Sequence, residues 1–164
     1  MREIKFRAWQ PHASLHRQPG MYLVDDMVWH KVTDEQPEKG EVFLTRKIGT
    51  SRSSEFFEDV AIMQYTGVKD KSGVEIYEGD IVRVGREPYT AEDDDGNDID
   101  AYESTWLSKV LWDDAGAFII QADEYGFFGE YPTTTIGWAT QDGEYEVEVI
   151  GNIYENPELL EAKQ

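Results

Sequence analysis

The sequence predicts a mainly β protein, β-rich within the α+β class, with a strand-rich region at residues 1–78, a small barrel at residues 79–164 and a short C-terminal helix. Two observations predict it. Apolar and polar residues alternate with period two over most of the chain, as half-buried strands require. Short apolar runs are also punctuated by Gly, Asp, Asn and Pro at close intervals, as in small barrels.

The elements follow in order. In "REIKFRAW", Ile4, Phe6 and Ala8 fall on one side and Lys5 and Arg7 on the other, so residues 2–9 read as a strand. Pro11, Pro19 and Gly20 break residues 10–20 into a loop. Strands follow at "MYLVDD" and at residues 41–48, "EVFLTRKI". Ser54 is placed to cap a short helix ahead of a strand through "AIMQY".

The stretch "MQYTGVKDKSGVEIYEGDIVRV" then reads as two turns between strands. Gly73 ends a polar cluster suited to a tight turn, and Glu78-Gly79-Asp80 makes a second; both glycines are expected at positive φ. In "DIVRV", Val82 and Val84 point one way and Ile81 and Arg83 the other. A long acidic loop, residues 86–105, precedes "LSKVLWDD", a turn at Asp113 to Gly116, "AFIIQA", "TTTIGW" and "EYEVEVIGN". Five short strands with a Gly-Asp turn leading into the first fit the SH3-like kind of barrel. Tyr145, Val147 and Val149 are expected to face inward, and Glu144, Glu146 and Glu148 outward. Asn156 as N-cap and Pro157 at the first helical position start the C-terminal helix.

Composition narrows the function. The chain of 164 residues carries a net charge of −19 and no cysteine, which excludes a disulfide framework and thiolate chemistry and fits a reducing cytoplasm. Residues 1–85 hold 14 acids and 12 bases, whereas residues 86–164 hold 20 acids and 3 bases. Such a polyanion repels nucleic acid, so direct nucleic-acid binding is not expected. The first ten residues alternate instead of forming an apolar signal, and nowhere do about 18 apolar residues run together to span a membrane.

Candidate sites are few. Asp93, Asp94, Asp95, Asp98 and Asp100 offer carboxylates to calcium, but placing Gly96 at the sixth position of an EF-hand loop puts Ala91 first and Tyr102 last, where ligands belong. His12 and His16 have the spacing of zinc ligands on a helix in a segment that cannot hold one, and His30 beside Trp29 reads as a packed or surface residue. The sequence therefore assigns no metal, no cofactor and no catalytic residue. Tyr125, Phe127, Phe128 and Tyr131 stand in a Gly-punctuated, turn-like segment and are candidates for a protein-interaction surface. Glu144, Glu146 and Glu148, roughly 6.6 Å apart at alternate strand positions, are candidates for an acidic row that imitates nucleic-acid phosphates.

"REIKFRAW", "MQYTGVKDKSGVEIYEGDIVRV" and "VIGNIYENPELL" closely resemble the beginning, middle and end of the YopX family of bacteriophage and prophage proteins. The chain departs from the pattern at residues 10–20 and 91–103. The resemblance implies a phage-encoded cytoplasmic protein with an SH3-like barrel in its C-terminal part and self-association. It carries over no biochemical activity and no catalytic residues. The expected function is a non-enzymatic interaction module that forms homo-oligomers and binds a host or phage protein, with an acidic nucleic-acid mimic as the alternative.

Overall fold

The computed structural model describes residues 3–13, 18–29, 40–45, 52–56, 60–86, 91–92, 98–99, 104–121, 133–141 and 145–161. The chain divides into two compact units, Met1–Tyr65 and Thr66–Gln164.

The first unit is an antiparallel sheet. Strands β1 (Phe6–Gln10), β2 (Gly20–Trp29), β3 (Gly40–Thr45), β4 (Arg52–Phe56) and the start of β5 (Ala61–Lys69) lie in the order β4-β3-β2-β1-β5. Ala8 on β1 stands opposite Tyr22 on one side and Ile62 on the other. Ala8, Tyr22 and Val60 form the core, with Val24, Met27 and Ile62 packed against it. Alternation holds along β1, where Ala8 and Gln10 are buried, but Ile4 lies ahead of the strand and is 68% exposed. β4 corrects the expected helix: Ser54 stands opposite Phe43 in a ladder with β3, so cross-strand pairing overrides a local capping signal.

The second unit carries the end of β5, β6 (Glu75–Tyr77), β7 (Asp80–Arg86), β8 (Ala91–Glu92), β9 (Asp98–Ile99), β10 (Ser104–Asp113), β11 (Ala117–Gln121), β12 (Thr133–Thr135), α1 (Ile136–Gln141), β13 (Tyr145–Asn152) and α2 (Glu158–Glu161). Its main sheet runs β12-β11-β10-β7-β13 and curls as a half-barrel, the meander of an SH3-like barrel with the last strand returning to the first. Period-two patterning explains the core. Val82 and Val84 on β7, Trp106 and Val110 on β10, Phe118 and Ile120 on β11, and Tyr145 and Val147 on β13 all point inward, joined by Ile76, Ile136 and Ala139. Each buried Val, Ile or Phe among them contributes about 1.5–3 kcal/mol. Ile81 is also fully buried, although it sits on the other face of β7. Within the acid-rich segment, β8 and β9 pair as a two-stranded ladder.

The division between units falls ahead of the 78/79 boundary that the sequence suggested. Val68 and Ile76 pack with the core of the second unit, and the turn between β5 and β6 bonds to β13, so residues 66–78 belong with the C-terminal strands.

Two further expectations change. "TTTIGW" is a strand only as far as Thr135. Thr135 Oγ1 then accepts the Trp138 amide (3.3 Å), as a helix N-cap does, and α1 buries Ile136 and Ala139, three residues apart. At α2, the Asn156 carbonyl accepts the Leu159 amide (3.1 Å), while its side chain turns back to the Asn152 amide (3.4 Å) and is not the cap.

Candidate functional site

Three turns hold the polar residues of the quoted motifs. Between β5 and β6, Asp70 Oδ1 accepts the amides of Ser72 and Val74, both at 2.8 Å, and Oδ2 accepts the Val149 amide of β13 at 3.1 Å. Gly73 closes the turn at φ +83°, donating to the Asp70 carbonyl. Between β6 and β7, Asp80 is 1% exposed and its Oδ2 accepts the Tyr77 amide at 2.7 Å. Gly79, at φ +76°, donates to the Val110 carbonyl and accepts from the Ile153 amide, both at 2.9 Å.

After β13, Asn152 Oδ1 accepts the amides of Tyr154 (3.0 Å) and Glu155 (2.9 Å), and Nδ2 donates to Glu155. Gly151 leaves room for Asn156, whose Oδ1 stands 2.6 Å from where a Cβ would be. The carboxylates of Asp70 and Asp80 are thus engaged by main-chain donors. In both places the carboxylate ties its turn to the main chain, as buried acceptors paired with backbone donors do.

From the first of these turns, Lys71 Nζ lies 2.8 Å from Glu146 and 3.7 Å from Glu148 on β13, and Arg83 on β7 lies 3.0 Å from Glu148. The hydrogen bond to Glu146 raises the Lys71 pKa above its ordinary value, with the charges of Glu146 and Glu148 adding to it against some desolvation. Two of the three acids in the candidate mimic row therefore face cations, and Glu144 lies outside the described residues. The candidate aromatics Tyr125, Phe127, Phe128 and Tyr131 lie outside them too, in a segment that leaves from Gln121 and returns at its ladder partner Thr133. His16, His30 and Asp93 to Asp95 share that position, while His12 is exposed.

The sequence reading missed the tryptophans that do reach the surface. Trp138 on α1 is 42% exposed and leans on Tyr145 at 5.5 Å between ring centroids, and Tyr145 meets the buried Trp106 edge to face at 6.0 Å. Trp112 on β10 is 48% exposed and meets Phe118 edge to face at 4.7 Å. Thr135 ahead of Ile136 and Ala139 was the available signal for α1 and hence for Trp138. A cleft of about 210 Å³ lies among Leu107, Ser108, Lys109, Gln121 and Leu160; the Ser108 hydroxyl there donates to the Gln121 carbonyl. Among the described residues no group of three or more acids or histidines is placed to hold a metal, and no helix is long and apolar enough to cross a membrane.

No curated protein matches the chain. The crystal structure of protein EF1440 from Enterococcus faecalis is similar at 24% identity, covering 96% of this chain and 98% of that one with a TM-score of 0.44. The model of the YopX protein family matches residues 5–161, a span that contains all three clamped turns, and the chain belongs to the YopX family.

Proposed function

We propose that the protein is a non-enzymatic, cytoplasmic interaction module that self-associates and binds a second protein encoded by a phage or its host. The observation that carries this reading is the pair of exposed tryptophans, Trp138 and Trp112, each braced by a neighbouring ring. Rigid, partly exposed aromatics supply contact area at little entropic cost and are enriched among interface anchors. The engagement of Asp70 and Asp80 with backbone amides supports a structural task for the motif carboxylates.

Light scattering on the purified protein, together with affinity capture from infected cells, tests the proposal. Oligomers or a captured partner that are lost in Trp138→Ala or Trp112→Ala, with melting unchanged, are the expected result. A strict monomer that captures nothing removes it.

The alternative, an acidic mimic of nucleic acid, draws on the excess of acids in residues 86–164. It predicts a salt-sensitive complex with a DNA-binding protein that weakens when Glu146 and Glu148 become Gln. The cations Lys71 and Arg83 beside those acids make it the weaker reading.

A further inference from the structure

Trp112 carries the line of core side chains out of the barrel. It stands two residues beyond Val110 on β10 and shares its face, and its ring meets Phe118 of the core edge to face at 4.7 Å. Val110 and Phe118 are buried, whereas Trp112 keeps 48% of its surface in water. Two turns border this position. β10 runs directly into Asp113–Gly116, where Asp114 is exposed, and the Gly79 amide of the Glu78–Asp80 turn donates to the Val110 carbonyl at 2.9 Å. The two stretches that meet here, "EIYEGD" at 75–80 and "VLWDDAGAFIIQ" at 110–121, hold five acids and no base. Asp80 and Asp113 accept main-chain amides and Glu75 accepts the Tyr77 hydroxyl. The exposed Asp114 and the half-buried Glu78 are left to face an incoming group.

We infer that Trp112 is the seat of an arginine side chain presented by a partner protein. The inference rests on the reading of the protein as an interaction module and supplies the chemistry of the partner. The face of an indole attracts a cation placed over it. A guanidinium suits the site best, because it is planar, weakly hydrated and able to stack on the ring while donating N–H bonds to carboxylates at the rim. An apolar group would gain from the ring and nothing from the acids, and a lysine would gain from the acids but stack less well. The 20 acids and 3 bases of residues 86–164 draw a basic segment in from a distance. Charge also separates Trp112 from Trp138, whose helix α1, "IGWATQ", contains no acid.

The test titrates short capped peptides, in which Gly alternates with Arg, Lys or Gln, into the full chain at low salt. Indole N–H signals are followed by NMR, that of Trp112 being identified by its loss in Trp112→Leu. The Arg peptide is expected to bind the parent most tightly and to shift the Trp112 signal. Trp112→Leu, which keeps an apolar contact for Phe118, is expected to bind it about threefold to tenfold more weakly, and Trp112→Phe to recover part of the loss. Asp114→Asn should weaken binding more than Glu158→Gln, which removes an equal charge from an exposed position on α2. Equal binding by the parent and Trp112→Leu, both folded by their melts, overturns the inference. So does a parent that binds no peptide or does not prefer Arg to Lys, and so do equal effects of Asp114→Asn and Glu158→Gln. Light scattering and affinity capture on the same protein separate the failures. Self-association or a captured partner without the arginine preference removes only the arginine seat, whereas a monomer that captures nothing removes the interaction module as well.

Discussion

Two turns in this protein share one local design and differ in what surrounds them. Asp70-Lys71-Ser72-Gly73 and Asp113-Asp114-Ala115-Gly116 both begin with an aspartate and end with a glycine in the left-handed region, at φ +83° and +85°. In each, the glycine amide donates to the aspartate carbonyl, at 3.0 and 2.8 Å. Asp113 adds one long bond, 3.4 Å from its Oδ2 to the Ala115 amide, and among the described residues its side chain bonds nothing outside its own hairpin. Asp70 adds two bonds of 2.8 Å within its turn and a third to Val149, 79 residues away, and is 7% exposed. The same four-residue grammar thus makes a plain reversal in one place and a clamp on a sheet edge in the other. Burial and a distant partner make the difference.

Replacing both aspartates by alanine exposes that contrast most strongly. Asp70→Ala leaves three main-chain donors without their acceptor and is expected to cost about 3 kcal/mol or more, against about 0.5 kcal/mol for Asp113→Ala. Denaturant melts measure both, and equal losses would show that Asp70 acts only within its turn.

Next in size is Gly151→Ala, whose new methyl group meets Asn156 Oδ1 at 2.6 Å. Overpacking of this kind is expected to cost about 1–3 kcal/mol. The double variant Gly151→Ala/Asn156→Ala should be less damaged than the sum of the two singles, which a double-mutant cycle reads directly.

The glycines sharpen the comparison from the other direction. An added Cβ meets nothing within 4 Å at Gly73 or Gly116, so only backbone strain opposes a side chain there. Valine at either position is expected to cost a similar amount, about 1–3 kcal/mol. A much larger loss at Gly73 would mean that the clamp needs the turn's exact path.

The smallest effect is electrostatic. The folded-state pKa of Lys71 is raised above 10.5, so its contribution is fully present below that value and is lost as pH rises through the higher, folded-state pKa. Melting temperatures of the parent and Lys71→Met across the alkaline range should converge as pH rises. They should also converge with added salt, because the pair is exposed. A difference that persists at high pH would assign the stabilisation to the lysine stem.

Much of the fold was legible because period-two alternation and left-handed glycines are written in short windows. The burial of Val82, Val84, Tyr145 and Val147 follows from alternation alone, and Gly73 and Gly79 fall at the turns that their flanking residues require. Windows fail where two local signals compete. Ser54 has the chemistry of a cap and sits in a ladder, whereas the threonines before Ile136 look like a strand and include a cap. In both cases the neighbouring strand or core, absent from the window, chose between them.

The candidate site divides in the same way. From the sequence alone came the mainly β class, the positions of the turns, the concentration of acids after residue 86 and the family. Tertiary structure alone decided that the Asp70 carboxylate closes on Val149, that Lys71 reaches Glu146 across 75 residues, and that Trp138 and Trp112 stand exposed. The physical reason is range. Backbone conformation and alternation are set by a residue and its immediate neighbours, whereas burial and hydrogen-bond partners are set by whichever distant segment the folded sheet brings alongside.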